Sequence, residues 1–217
     1  MTQPIQYYGL ATPNGQKVSI ALEEMELPYE FNLINIGAGD QFSEEYKKIN
    51  PNSKIPSIVD PEGPNGEPIS VFESGAILIY LAEKSGKFLS TDPVHRIETI
   101  QWLMFQMGGL GPMFGQFGHF FKYGGSKLED PYSVDRYRNE SKRLLGVLDT
   151  RLEGRDFIVD SGYSIADITS IPWITAAREF YDATDALELD SFKNVMSWYE
   201  RCTSRPGAQR GRQVGAW

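Results

Sequence analysis

The stretch Thr12-Pro13-Asn14-Gly15 combines residue types and a position that can do chemistry. It follows a short apolar run, Ile5-Gln6-Tyr7-Tyr8, and opens a helical pattern, Lys17-Val18-Ser19-Ile20-Ala21-Leu22. A helix start offers unpaired N–H groups and the positive end of the helix dipole, and both attract an anion. Redox proteins with this strand–turn–helix layout usually carry a Cys-x-x-Cys pair at the turn. Here threonine precedes the proline, and the one cysteine of the chain, Cys202, is remote in sequence. The turn can hold a thiolate but has no thiol of its own, so any sulfur has to come from outside the protein. Thr12 and Asn14 are also good helix caps. Capping and thiolate binding are compatible, because one hydroxyl can serve either group.

The chain that must position this turn has 217 residues, 41% of them hydrophobic and 23% charged, and a net charge of −8. That is enough for one large domain or two small ones. The acidic balance argues against nucleic acid as a partner, since a phosphate backbone calls for clustered Lys and Arg. No apolar run approaches the ~20 residues of a membrane span. Met1-Thr2-Gln3-Pro4 lacks the basic and apolar regions of a secretion signal. A single cysteine excludes an intrachain disulfide and fits a reducing compartment, most simply the cytosol. His95 and His119 are far apart and have no companion cysteines, so no metal site is expected.

The first part of the chain alternates strands and helices. Residues 4–8 read as a buried strand. Residues 15–26 read as a helix with Val18, Ala21, Leu22 and Met25 on one face, and Tyr29 to Leu33 as a second strand. Ser43 caps a short helix through Ile49. Ile55 to Val59 and Ile69 to Phe72 form a hairpin around Asn65-Gly66, and Ser74 caps a helix that Gly86 stops. The crossovers predict parallel pairing among the first three strands, with the fourth antiparallel. Beyond Ser90-Thr91-Asp92-Pro93 the periodicity is helical, over 93–121, 131–153, 164–180 and 189–204. Ser164-Ile165-Ala166-Asp167 reads as a capping box, a structural role for Ser164 and Asp167. The glycines at 108, 109 and 111 predict a bend or a close helix approach. Phe114, Phe117, Phe120 and Phe121, with His119, are candidates either for core or for the wall of a second-substrate pocket. The tail from Arg205 to Trp217, with arginines among glycines, reads as solvated and weakly ordered.

Three motifs line up in the first half: Thr12-Pro13-Asn14-Gly15, Asn52-Ser53-Lys54-Ile55-Pro56 and Phe72-Glu73-Ser74-Gly75-Ala76-Ile77. With the helical second half they resemble the glutathione S-transferase superfamily over essentially the whole chain. Gly39-Asp40-Gln41-Phe42 and Gly108-Gly109-Leu110-Gly111-Pro112-Met113 narrow the resemblance to the Nu-class and Ure2-like branch. The resemblance implies a thioredoxin-like glutathione-binding domain over 1–88 (β-α-β-α-β-β-α), then an all-helical domain with the C-terminal tail over 93–217. It implies bound glutathione, reduced or oxidised, a homodimer, and a small-molecule disulfide or electrophile as second substrate. The activity implied is that of a cytoplasmic glutathione-dependent disulfide-bond oxidoreductase using glutathione thiols rather than a protein cysteine. A conjugating transferase is the runner-up. A glutathione-binding regulator is the reading from another class, weakened because no Asn/Gln-rich stretch precedes the fold.

The resemblance also implies roles for residues. Thr12 and Asn14 face the glutathione sulfur. Ser74, at a helix start, suits the γ-glutamyl carboxylate, and Glu73 suits its ammonium. Pro56 is cis, which turns the Ile55 N–H and C=O toward the cysteinyl unit as an added strand would be paired. Lys54, and more weakly Gln41, meet the glycyl carboxylate. Arg136 reaches the glutathione of the partner subunit through its planar fork, or is a solvated helix charge. Tyr8 is the rival thiolate donor, although wall or core roles suit both Tyr7 and Tyr8 better.

Overall fold

A computed structural model describes residues 3–124 and 130–216. Met1 and Thr2 of the N-terminal stretch, residues 125–129, and Trp217 at the end of the tail lie outside the described residues. The chain begins with β1 (Ile5–Gly9), α1 (Pro13–Met25), β2 (Tyr29–Leu33), α2 (Glu44–Ile49), β3 (Ser57–Asp60), β4 (Ile69–Phe72) and α3 (Ser74–Ser85). It continues with α4 (Pro93–Phe105), α5 (Gly111–Gly118), α6 (Tyr132–Leu152), α7 (Ile165–Thr175), α8 (Thr184–Leu187), α9 (Lys193–Thr203) and α10 (Pro206–Gly211). Two compact units result: Met1–Leu89 together with Ser204–Trp217, and Ser90–Thr203.

The first unit is built on a four-stranded sheet in the order β2-β1-β3-β4. β1 pairs parallel to β2, but β3 runs antiparallel to both β1 and β4. The third strand is therefore the reversed one, in contrast to the parallel pairing expected from the alternation of strand and helix. A helical crossover has to carry the chain back along the strand it leaves. The connection from β2 to β3 is long enough for either direction, and the antiparallel pairing of β3 with both β1 and β4 sets its course. The register places Asn32, Tyr8, Ser57 and Phe72 in one row across the sheet.

The C-terminal segment is not a loose tail. It forms α10, which packs on α1 within the first unit, so the helical unit ends at Thr203 rather than at the chain terminus. Gly207 and Gly211, one turn apart, give α10 a flat face. A Cβ on Gly211 would lie 2.5 Å from the Ile20 Cα. Arg205 grips Glu24 through two hydrogen bonds of 2.9 and 2.8 Å, and Arg210 donates to Glu23 at 2.6 Å. Local composition alone shows arginines and glycines. Their partners lie on a helix nearly the whole chain away.

In the second unit α7 is buried along its whole length. Phe114, Phe117, Leu145, Leu148, Ile171, Ile174 and Trp198 form the core around it. Asp167 is the polar hub of this core. It accepts hydrogen bonds from the Ser164 and Ile158 N–H groups, both 2.9 Å, the Ser164 hydroxyl at 3.1 Å, and Trp198 Nε1 at 2.8 Å. The helical path from α4 to α5 passes through a π-helical stretch, Gln106–Leu110, where the glycines cluster. At Gly118 a Cβ would meet the Tyr181 ring at 2.2 Å, so that glycine admits a close approach.

Gly211→Val should push α10 off α1 and lower stability by about 1–3 kcal/mol, the usual cost of overpacking. Urea unfolding followed by circular dichroism checks this. An unchanged midpoint would mean that α10 contributes no packing to the first unit.

Candidate functional site

The register row of the sheet has a direct consequence for the motifs. β1 leaves it toward Thr12, β3 enters it from Pro56, β4 leaves it toward Glu73, and β2 leaves it toward the loop holding Gln41. Thr12, Asn14, Gln41, Lys54, Ile55, Pro56, Glu73 and Ser74 thus gather at one end of the sheet. Arg136, Ser164 and Asp167 belong to the second unit.

Thr12 is the N-cap of α1. Its hydroxyl oxygen accepts from the Gly15 N–H at 3.2 Å, and Pro13 occupies the first helical position. Capping uses a lone pair and leaves the hydroxyl proton available to a second acceptor. Asn14 lies in the first turn, which contains no acidic residue to repel an incoming thiolate. Tyr7 is buried, and its hydroxyl donates to the Gly15 carbonyl at 2.9 Å. Burial pushes this phenol far above its ordinary range, so it holds the turn from below rather than serving a sulfur. Tyr8 is half-buried beside Tyr46, with ring centroids 6.2 Å apart.

The Ile55–Pro56 peptide is cis. Among the described residues no hydrogen bond engages the Ile55 N–H or C=O. The loop before it is held from within. Tyr46 Oη and Asn50 Nδ2 both donate to the Lys54 carbonyl at 2.6 Å, and Asn50 Oδ1 accepts from the Asn52 N–H at 2.9 Å. The Tyr46 proton is committed to that carbonyl, so Ser57 Oγ donates to Tyr46 Oη across 2.9 Å. Lys54 itself is exposed. Gln41 is half-buried, with Nε2 donating to the Ile36 carbonyl at 3.4 Å.

At α3 the expected cap is shifted by one residue. Glu73, with φ of 68°, occupies the N-cap without a side-chain capping bond, and Ser74 is the first helical residue. The Glu73 carbonyl accepts the first helical N–H, from Ile77 at 2.9 Å, so Ser74 lies inside the first turn. Its hydroxyl instead meets Lys17 Nζ, which donates to Ser74 Oγ at 3.3 Å. Lys17 is only 1% exposed. Burial pulls its ammonium down to about 7, with the Glu73 carboxylate opposing the shift.

Lys17, Tyr46 and Asn50 are site residues that motif reading missed. The signal for Lys17 was its position at the head of the row Lys17, Ala21, Met25, whose other members are apolar and buried. Tyr46 and Asn50 carried no local signal, since their partner carbonyl is defined only by the folded loop.

In the second unit, Arg136 is exposed and lines an open groove of about 900 Å³ with Tyr132, Asp135, Tyr137, Glu140 and Arg143. Ser164 and Asp167 form the capping box of α7. Phe114 and Phe117 are fully buried core rather than pocket wall, while Phe120 stacks on Tyr137 and His119 is exposed. Cys202 is buried in α9. Among the described residues no cluster of His, Cys, Asp or Glu could hold a metal ion.

Comparison with known proteins gives matches in both halves of the chain. Residues 11–84 match the glutathione S-transferase N-terminal domain, and residues 110–206 match its C-terminal domain. The chain is 45% identical to the disulfide-bond oxidoreductase YfcG of Escherichia coli, over 93% of this chain and 91% of that protein. It is 51% identical, with a TM-score of 0.96, to a glutathione transferase from Pseudomonas putida whose crystal structure holds one glutathione disulfide per subunit. That match covers 98% of this chain and 92% of the other. A glutathione transferase from Burkholderia graminis, with two glutathione molecules per subunit, is 52% identical with a TM-score of 0.94, covering 96% of this chain and 87% of the other. A thioredoxin-like sheet with a cis-proline loop, a helical second unit and these matches over nearly the whole length together show that the chain belongs to the glutathione S-transferase family.

Proposed function

We propose that the protein is a glutathione-dependent disulfide-bond oxidoreductase in which every reacting sulfur is carried by a ligand. The observation that carries this reading is the start of α1. It offers a hydroxyl, helix N–H groups and no acidic residue, while the one cysteine of the chain is buried in α9. The naming of the Escherichia coli relative and the disulfide in the Pseudomonas putida structure support it.

In this reading Thr12 and Asn14 stabilise a glutathione thiolate. The thiolate attacks one sulfur of a small disulfide, a new S–S bond forms, and the other sulfur leaves as a thiolate that takes up a proton. A second glutathione attacks the mixed disulfide and releases the second thiol. Two glutathiones are oxidised to one glutathione disulfide as one substrate disulfide is reduced to two thiols. Ile55 pairs with the cysteinyl backbone, Lys54 and Gln41 take the glycyl end, and Glu73 and Ser74 take the γ-glutamyl end. A chain with no cysteine pair and fed by reduced glutathione suits the cytosol.

Reduction of 2-hydroxyethyl disulfide by glutathione should be strong and conjugation to 1-chloro-2,4-dinitrobenzene weak. The reverse pattern would make the protein a conjugating transferase, and tight glutathione binding with neither activity would make it a binding protein. Thr12→Ala should slow reduction about 10- to 100-fold, the loss of one hydrogen bond to a charged group. The lost cap should cost only about 1 kcal/mol of stability. Cys202→Ser should leave the rate intact, and a large loss there would overturn the cysteine-free chemistry.

We further propose a homodimer. Val94, Ile97 and Met104 lie on one face of α4 and are 69%, 64% and 49% exposed, an apolar stripe without a partner in the described chain. Tyr132, 65% exposed at the start of α6, adds to the apolar surface of this unit. Arg136 in its groove is the residue that would reach the partner's glutathione. Ile97→Glu should convert the dimer to monomer in light-scattering chromatography, and a wild-type monomer would end this proposal.

A further inference from the structure

Two buried side chains converge on one backbone atom. Tyr46 on α2 and Asn50 at its C-cap are 2% and 1% exposed. Tyr46 Oη and Asn50 Nδ2 each donate to the Lys54 carbonyl oxygen at 2.6 Å, so both lone pairs of that oxygen are filled. The donors are themselves fixed. Ser57 Oγ donates to Tyr46 Oη, which leaves the phenol proton to the carbonyl, and burial raises the phenol so that it keeps this proton. Asn50 Oδ1 accepts from the Asn52 N–H, which turns the amide nitrogen toward Lys54. Ser53, inside the same turn, has φ of 54°, a left-handed conformation that a residue with a side chain keeps only where its surroundings impose it.

The direction of this carbonyl decides the direction of a second group. The Lys54–Ile55 peptide is trans, and in a planar trans peptide the C=O and the N–H that follows it point opposite ways. With the Lys54 oxygen drawn toward Tyr46 and Asn50, the Ile55 N–H is turned to the other side. There it meets no acceptor among the described residues. A backbone donor calls for a partner, and one held out in this way suits an acceptor from outside the chain. We propose that Tyr46 and Asn50 are positioning residues for glutathione, which aim the Ile55 N–H at the cysteinyl carbonyl by holding the carbonyl of Lys54. This inference rests on the pairing of Ile55 with the cysteinyl backbone proposed above.

Tyr46 and Asn50 act through the peptide plane and not on the ligand. A donor whose direction is fixed before binding spends no ordering entropy when the acceptor arrives, and that gain is read as affinity. Without the two side-chain donors the Lys54–Ile55 plane is free to rotate, and the N–H loses its aim. Because the two donors share one oxygen, either one alone still restrains the plane. Their effects are therefore coupled and not additive.

Two ligands test this: S-methylglutathione, and its analogue with a trans alkene in place of the cysteinyl–glycine amide, which lacks the cysteinyl carbonyl. In calorimetry wild type should bind the analogue about 3- to 10-fold more weakly, the worth of one hydrogen bond. Hydrogen exchange at the Ile55 amide, followed by NMR, assigns the preference to that donor. It should slow when S-methylglutathione binds and slow far less with the analogue. The double variant Tyr46→Phe, Asn50→Ala should bind the two ligands within about twofold of each other and lose the protection of Ile55. Each single variant should lose part of the preference. A purely structural role would weaken both ligands equally and leave the preference intact, and that result overturns the proposal. If the double variant does not fold, Tyr46→Phe decides, and an unchanged preference with unchanged Ile55 protection overturns it. Wild type separates the two levels. If it binds both ligands alike and Ile55 is not protected, the pairing of Ile55 falls and this proposal with it. If wild type shows the preference and the double variant keeps it, only the role of Tyr46 and Asn50 falls.

Discussion

The start of α1 is pressed against the turn leaving β1 so closely that a Cβ on Gly15 would lie 2.0 Å from the Leu10 carbonyl oxygen. That contact holds the first helical turn hard against the end of the strand. Tyr7 ties it from below through the Gly15 carbonyl, and the Thr12 N–H closes onto the Leu10 carbonyl at 2.7 Å. The positive end of a 13-residue helix is thereby fixed beside the end of the sheet where the other motifs emerge. The glycine of the opening turn is a steric requirement, and the position of Thr12 and Asn14 depends on it.

The remaining parts of the first unit hold α1 in that position. Its far end is clamped by α10, whose glycines let two backbones approach and whose arginines satisfy Glu23 and Glu24. Glu24 is nearly buried, so its two-point bond to Arg205 matters more than a surface pair would. Lys17 then sits between a rigid helix and the start of α3 and joins two anion-attracting helix ends through one ammonium. On the other side of the sheet end, Tyr46 and Asn50 fix the Lys54 carbonyl and so set the loop that presents Ile55.

The second unit uses a different device for the same purpose of rigidity. Asp167 satisfies four donors from the α7 cap, the Ile158 loop and Trp198, and so locks a wholly buried helix at its first turn. A buried carboxylate is tolerated only when its lone pairs are filled in this way. The aromatic residues that lie closest to this core, Phe114 and Phe117, are consumed by packing. The apolar stripe of α4 and the arginine-lined groove beside α6 lie on the surface of this unit.

Much of this could be read from residue order. Period-2 and period-3.6 patterns and the turn residues Thr12-Pro13-Asn14-Gly15 and Asn65-Gly66 are local signals, and local backbone preferences act over a few residues. They located β1, α1, β2, α2, the hairpin, α3 and the helical second half, together with the cysteine-free turn that opens α1 and the Ser164–Asp167 box. Strand direction, the docking of α10, the shift of the α3 cap to Glu73 and the burial of Lys17 were decided by tertiary contacts. Each depends on partners far along the chain: β3 paired antiparallel to β1, glycines at 207 and 211 against Ile20 and Glu24, and an ammonium on one helix meeting a hydroxyl on another. Amino-acid order determines which groups can donate, accept or pack. Which of them meet is a property of the closed fold, because burial and hydrogen bonding are settled only when distant segments share one small volume.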